Sequence, residues 1–498
     1  MRAIAIFSPS RRSGKSWLTI ALGRSLARSG WRVAPFQSQT EITQESYRIN
    51  GLAEISQSAA WQAWAAQIPP TTGLNPVLLK AHHPADQSQA SFQLLIQGRG
   101  IGTVSRTDYY QNYYEITRPL IRECLGQLQQ DYDILLCDTY RHGLYYPIDA
   151  DSDQNFELLK NLQPSTVGIL LLDCKNEGEL NQLWGLWQRL SPENRQLIRG
   201  IVLNQWQGDR PAADQVTQWI TAQIQRPVLG YLPPLRDLAF SPSSALTFQK
   251  TDENLPQNKL RVQVLTLPHF QDYLEFDPLR SEPSLQLEFI DPTEPLGYPD
   301  AVIIPPTNQA IADLEQLQKY SYPQQLQDYL QAGGTILGIG NGATLCSQNL
   351  RLPNGKRQRA LGLMPFEGQI QEATNAFLPQ EEIISLFPWP TLLLKGRPLP
   401  WELLNYNLKS GYRQLFKTNN LGIINQNQSI WAIYLQGLFN NGPWRRFWLN
   451  TLRHKRGLTS LPTGIADFHE CREMILETLA NHIEQYLDLD FLLTEVKK

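Results

Sequence analysis

Cysteine is scarce in this chain. Five occur in 498 residues, Cys124, Cys137, Cys174, Cys346 and Cys471, widely scattered and with no C-x-x-C spacing. That argues against a disulfide framework or a cysteine-held zinc site and fits a reducing cytosol. Long apolar runs are missing as well. No stretch approaches the roughly 20 apolar residues that a membrane span needs. The apolar start, Met1 to Phe7, gives way to Ser8 and is too short for the core of a signal peptide. Charge of one sign is not in excess either, since 44 Lys and Arg stand against 47 Asp and Glu. A net charge of -3 offers nucleic acid or acidic lipid no broad basic field. A soluble, cytoplasmic protein with neither partner is expected.

What the chain does have is length and rhythm. At 498 residues it exceeds what one hydrophobic core usually organises, so two or three domains are expected. Strand-like and helix-like segments alternate through residues 1–235: Arg2 to Phe7, Trp17 to Ser29, Trp31 to Pro35, then Ile134 to Cys137, Thr166 to Leu172 and Gly200 to Leu203. This is the pattern of an α/β fold with a parallel sheet covered on both faces. Residues 236–260, rich in Ser, Pro, Gln and charge, read as a linker. A second α/β unit follows over 261–498. Its strands are predicted at Val262 to Leu267, Leu285 to Phe289, Ala301 to Ile304 and Thr335 to Ile339, with a helix over Ala312 to Ala332 and a long amphipathic helix over Ile465 to Leu487.

The clearest local motif follows the first strand. Ser8-Pro9-Ser10-Arg11-Arg12-Ser13-Gly14-Lys15-Ser16 leads into a helix, the setting in which backbone amides cradle phosphate, a lysine neutralises it and a Ser hydroxyl ligands Mg²⁺. Pro9 stands where the P-loop pattern G-x-x-x-x-G-K-[ST] has its first glycine, and proline has no N–H to offer. A Gly-Lys-Ser helix start without a ligand is the bland alternative, because Ser favours helix N-termini by capping alone. Asp138, at the end of its strand, stands where α/β sheets place ligands and is a candidate second metal residue; a turn or cap role is equally open.

The run Val33-Ala34-Pro35-Phe36-Gln37-Ser38-Gln39 is similar to V-A-P-F-K-x-Q-N-M of the cobyric acid synthase family, and the resemblance holds in the same order over nearly the whole chain. Asn75 to Lys80, Asn204 to Asp209 and Pro227 to Pro233 continue the likeness, and Phe276 to Pro283 with Glu294 to Gly297 resemble the start of its amidotransferase domain. The resemblance implies a P-loop synthetase domain followed by a class I glutamine amidotransferase-like, flavodoxin-like α/β domain. It also implies ATP-dependent, glutamine-fed amidation of corrinoid carboxylates in cobalamin synthesis. Ser13, Gly14, Lys15, Ser16 and Asn204 would bind nucleotide, and Ser16 with Asp138 would hold Mg²⁺.

Three departures fall on the implied glutaminase centre. Thr335-Ile336-Leu337-Gly338-Ile339-Gly340-Asn341-Gly342 matches a G-I-C-G-G elbow with Gly340 at the nucleophile's position. Tyr434-Leu435-Gln436-Gly437-Leu438-Phe439 matches Y-L-H-G-L-F with Gln436 at the histidine's position, and an amide cannot shuttle protons near neutral pH. Pro306 replaces the oxyanion glycine and has no N–H to donate. Cys346, six residues beyond Gly340, reads as a packed structural cysteine. Glutaminase activity is not expected.

The synthetase side is altered too. Arg12 stands at an acidic position of the family loop, Gln37 replaces a lysine, Gln205 and Gln207 replace basic residues, and Asp173-Cys174-Lys175-Asn176 departs from D-I-D-R. Arg11, Arg12, Lys15 and Arg141 would surround a polyphosphate, or Arg11 and Arg12 are solvated loop charges. His82, His83 and His142 show no metal-ligand spacing. Three readings stay open. One is an ATP-dependent amide ligase fed by free ammonia, favoured by Lys15, Ser16, Asp138, Asn204 and Asp209. Another is a non-catalytic paralogue that binds nucleotide or a corrinoid and acts through a protein partner. The last is an interaction scaffold with Trp444 to Trp448 as its patch.

Overall fold

The computed structural model describes residues 2–10, 13–42, 46–49, 53–81, 91–139, 156, 159, 166–175, 178–235, 258–270, 273–307, 309–352, 354–369, 382–384, 392–394, 397–398, 403–404, 411–415 and 422–497. Arg11, Arg12, Arg141, His142, His82, His83 and the linker segment 236–257 lie outside these residues. The chain divides into two compact units, Met1–Ala245 together with Glu473–Lys498, and Leu246–Arg472.

Six strands build the main sheet of the first unit: β1 (Arg2–Phe7), β2 (Val33–Phe36), β3 (Ile134–Asp138), β4 (Thr166–Asp173), β5 (Ile198–Asn204) and β6 (Val228–Leu232). All pair in parallel, in the order β6-β5-β4-β1-β3-β2. Side chains alternate across a strand, and β1 divides accordingly between two cores. Ile4 and Ile6 join one with Leu18 and Leu22 of helix α1 (Lys15–Arg28), while Ala3, Ala5 and Phe7 join the other with Ile121 and Leu125. A strand buried on both faces shows no polar alternation, which is why these strands read as unbroken apolar runs.

The last residues of the chain do not stay with the unit that precedes them. Residues 473–498 pack with the first unit, because Leu476, Leu479 and Ile483 form an apolar stripe at helical spacing that enters the core of Ile4 and Leu18, followed by Leu492 and Val496. Ion pairs fix the helix at this face. Arg24, only 8% exposed at its side chain, meets Glu473 and Glu477 at 2.7 Å each, and Ser25 Oγ donates to Glu484 at 2.7 Å. An unexpected four-stranded sheet of Gln39–Ile42, Val77–Ala81, Ser91–Ile96 and Arg99–Ser105 lies between β2 and β3 in sequence. Arg99–Ser105 is largely exposed, so its strand leaves no apolar alternation to read.

In the second unit a seven-stranded sheet is formed by β7 (Leu260–Leu265), β8 (Leu285–Ile290), β9 (Ala301–Ile304), β10 (Ile336–Ile339), β11 (Tyr412–Gln414), β12 (Gly422–Asn425) and β13 (Ile430–Ile433). The order is β8-β7-β9-β10-β13-β12-β11; β12 pairs antiparallel with both β11 and β13, and the other neighbours pair in parallel. The single helix expected over Ala312 to Ala332 is two, Ala310–Lys319 and Tyr322–Gln331. Ser321 takes a left-handed φ of 58° between them, and Pro323, which has no N–H to continue a helix, fits the first turn of the second. The aromatic segment Trp444 to Trp448 is not a surface patch. Trp444 and Trp448 are fully buried, because their helix turns them into the core beside Trp431.

Candidate functional site

The phosphate loop leaves β1 at the carboxyl edge of the first sheet and turns into α1. Gly14 makes that turn at φ 98°, and a Cβ there would come within 2.4 Å of Asn204 Nδ2. Only glycine meets both demands. Asn204 in turn donates to the Ser13 carbonyl at 2.7 Å, so the end of β5 holds the loop from behind. Ser13 is buried, and among the described residues its hydroxyl has no hydrogen-bond partner. Lys15, at the first turn of α1, has its pKa lowered by desolvation, with the charge of Asp138 opposing.

Asp138 completes the centre. Its Oδ2 accepts from Ser16 Oγ at 2.7 Å, Gln62 Nε2 at 2.8 Å and Gln37 Nε2 at 2.9 Å. Ser56 Oγ at 2.7 Å and Thr40 Oγ1 at 3.0 Å donate to Gln37 Oε1 and hold its amide in place. The Ser16 hydroxyl and the Asp138 carboxylate are hard oxygen donors beside each other, and they fit a Mg²⁺ ion that draws its other ligands from phosphate and water. Among the described residues no group of three or more His, Cys, Asp or Glu side chains suits a metal held by protein alone. Asp209 caps the helix Arg210–Ile224, its Oδ1 accepting from Ala212 N at 3.0 Å.

Sequence reading missed three contributors. Gln62 reaches Asp138 from the helix Gln57–Ala65, and no motif signals it. Glu179 takes the Ser10 hydroxyl at 2.8 Å and the Asp173 N–H at 3.2 Å; burial raises its pKa. His482 comes from the C-terminal helix. It lines a cavity of about 510 Å³ together with Ser13, Lys15, Asp173, Asn204 and Gln205.

The elbow lies in the second unit. β10 ends at Ile339, and Gly340 after it adopts φ 59°, ψ −130° before the short helix α2 (Asn341–Leu345). This is a sharp strand-to-helix elbow made at a residue without a side chain. The flanking glycines are required by contact. A Cβ on Gly342 would lie 2.3 Å from the Ile304 carbonyl oxygen, and one on Gly338 would lie 2.6 Å from Ala343 Cα.

Topology brings three positions singled out in the sequence to one sheet edge. Ile304 of β9 is in register with Gly338 of β10, and Ile339 with Ile433 of β13. Pro306, Gly340 and Gln436 therefore follow the carboxyl ends of three adjacent parallel strands. Thr307 N donates to Asn341 Oδ1 at 2.5 Å and ties the Pro306 loop to the elbow, while the Gln436 backbone pairs with Arg397. Cys346 does not replace the nucleophile. It is buried, its Sγ contacts the Gly342 carbonyl at 3.5 Å, and desolvation pushes its thiol up to about 12, far from a reactive thiolate. A buried Asp313 also holds His269 Nδ1 at 2.7 Å beside Thr307, a pairing the sequence did not suggest.

A P-loop parallel-sheet unit carried on the same chain as an amidotransferase-type α/β unit defines a two-part synthetase architecture. Residues 4–248 match the family described as the CobQ/CobB/MinD/ParA nucleotide binding domain, and residues 261–382 match the CobB/CobQ-like glutamine amidotransferase domain. Cobyric acid synthases of Nostoc punctiforme and Rippkaea orientalis are each 36% identical over 500 residues, covering 98% of this chain and 99% of theirs. That of Synechococcus elongatus is 35% identical over 498 residues, covering 99% of this chain and all of its own. The chain belongs to the cobyric acid synthase family.

Proposed function

We propose that this chain binds ATP with Mg²⁺ in the first unit and uses it to amidate a carboxylate of a corrinoid, taking ammonia from solution because its own glutaminase is silent. Lys15 and the N-terminus of α1 face the phosphates, Ser16 and Asp138 flank the metal, and Asn204 holds the loop. Mg²⁺, when bound, neutralises phosphate charge and orients the terminal phosphoryl group. In the second unit Gly340 offers no thiol to attack glutamine, Gln436 no base, and Pro306 no oxyanion N–H. The observation that carries this reading is the contrast between the two units: the Ser16–Asp138 pair is formed, while the elbow turns at a residue without a side chain.

A second reading, a non-catalytic paralogue acting through a protein partner, is favoured by the surroundings of Asp138. Two glutamine amides take up its carboxylate, one of them at a position where the family has lysine. One assay separates the two. Purified protein is incubated with ATP, Mg²⁺ and corrinoid carboxylates, with glutamine or ammonium chloride as nitrogen source, and ADP and amide are measured. Ammonium-dependent, glutamine-independent amidation supports the ligase; nucleotide binding without turnover supports the paralogue; glutamine-driven amidation with release of glutamate overturns the silent-glutaminase reading.

A further inference from the structure

We propose that the C-terminal helix forms the base-recognising wall of the nucleotide cavity, and that His482 selects a purine with an amino group rather than a carbonyl at its 6-position, adenine above guanine. The inference rests on the nucleotide reading above. One part of the cavity lining is the phosphate loop with Lys15; another is apolar, contributed by Leu232, Leu235, Leu479 and Ile483. Phosphate takes the cationic part, which leaves the apolar part for a flat, largely apolar body with a polar edge: a nucleobase.

Leu479, His482 and Ile483 are the C-terminal helix residues on that lining, and of them only His482 has polar side-chain atoms. Its Nε2 is 3.1 Å from the Pro233 carbonyl oxygen. A carbonyl only accepts, so Nε2 carries the hydrogen and Nδ1 is left as a bare acceptor. Burial lowers the pKa of the ring, the bond to Pro233 opposing, and this keeps the neutral form. The Tyr486 ring, 5.0 Å away by centroids, restricts the imidazole further. An acceptor matches the amino group of adenine and opposes the carbonyl oxygen that guanine carries at the same position. The mismatch leaves two acceptors facing each other in a partly dry site, where an unpaired polar group is costly.

The test is calorimetric titration of the full chain with Mg·ATP and with Mg·GTP, for the intact protein and for His482→Leu, His482→Gln and Lys15→Ala. Intact protein is expected to bind ATP at least about tenfold tighter than GTP. His482→Leu should bring the two affinities together, chiefly by losing ATP affinity. His482→Gln, whose amide can donate to Pro233 and still present an oxygen, should keep most of the preference. Lys15→Ala should weaken both nucleotides alike. A preference that survives His482→Leu in a variant with the intact protein's melting temperature overturns the assignment, as does intact protein that binds both nucleotides equally. Binding of neither nucleotide overturns the nucleotide reading itself and this assignment with it.

Discussion

Ser16 and Asp138, 122 positions apart in sequence, are joined by a direct hydrogen bond of 2.7 Å from Oγ to Oδ2. The contact exists because β1 and β3 are neighbours in a parallel sheet, with Ile6 in register with Asp138. Ligands of such sheets gather at the carboxyl ends of the strands. The same carboxylate also receives Gln37 and Gln62, which makes it the convergence point of the first unit.

Replacing Asp138 with Ala should act on binding and stability together. ATP affinity measured with Mg²⁺ is expected to fall about tenfold or more, roughly 1.4 kcal/mol, and the fall should shrink in EDTA. Gln37 and Gln62 lose their shared acceptor, at a cost of about 1–3 kcal/mol for each buried donor left unpaired. A lower melting temperature for the variant without ligand checks the second effect.

Nucleotide binding should take up protons through Lys15. Its pKa is lowered in the free protein by desolvation, and a bound polyphosphate favours the charged form. Affinity should therefore be greatest below that lowered pKa and fall as pH rises through it. Titrations in two buffers of different ionisation enthalpy are expected to show uptake in intact protein and none in Lys15→Met. The sign for stability is opposite. Between the lowered pKa and the unfolded value the unfolded chain binds more protons, so the contribution of Lys15 to stability rises with pH there.

Gly340→Cys alone should not restore glutamine hydrolysis, since the new thiol has neither a histidine beside it nor an N–H at Pro306. Adding Gln436→His and Pro306→Gly supplies both. The triple variant is expected to release glutamate at least about a hundredfold faster than the single one, the scale on which loss of one oxyanion donor is felt. Equal rates for the two variants would show that the elbow no longer places these three positions together.

Gly342→Ala should destabilise the second unit by about 1–3 kcal/mol, because the new Cβ meets the Ile304 and Pro305 carbonyl oxygens at 2.3 and 2.4 Å, where neither backbone can yield cheaply. Chemical denaturation followed by tryptophan fluorescence reads this through buried Trp431, Trp444 and Trp448.

Glu282 is 3% exposed and pairs with Arg445 at 2.7 Å and Arg446 at 2.8 Å. Glu282→Ala leaves a deeply buried guanidinium without its counter-charge, and a loss of about 3–5 kcal/mol is expected in the same denaturation experiment. Glu282→Ala with Arg445→Met should recover much of it.

The amino-acid sequence by itself determined the family, the two α/β units and the phosphate-loop motif at Gly14-Lys15-Ser16, and it singled out Pro306, Gly340 and Gln436. Those features are local. A P-loop is a run of neighbouring residues, a doubly covered strand is an unbroken apolar run, and a glycine at an elbow is visible wherever the elbow can be recognised. Tertiary structure alone decided the rest. Gln62 reaches Asp138 across 76 positions, and residues 473–498 leave the unit that precedes them in sequence to cover a face of the first sheet. An amphipathic helix announces that it will bury its apolar stripe but not against which surface, and a glutamine announces two donors but not their acceptor. Such partners are set by the packing of distant elements, and only the folded chain brings those together.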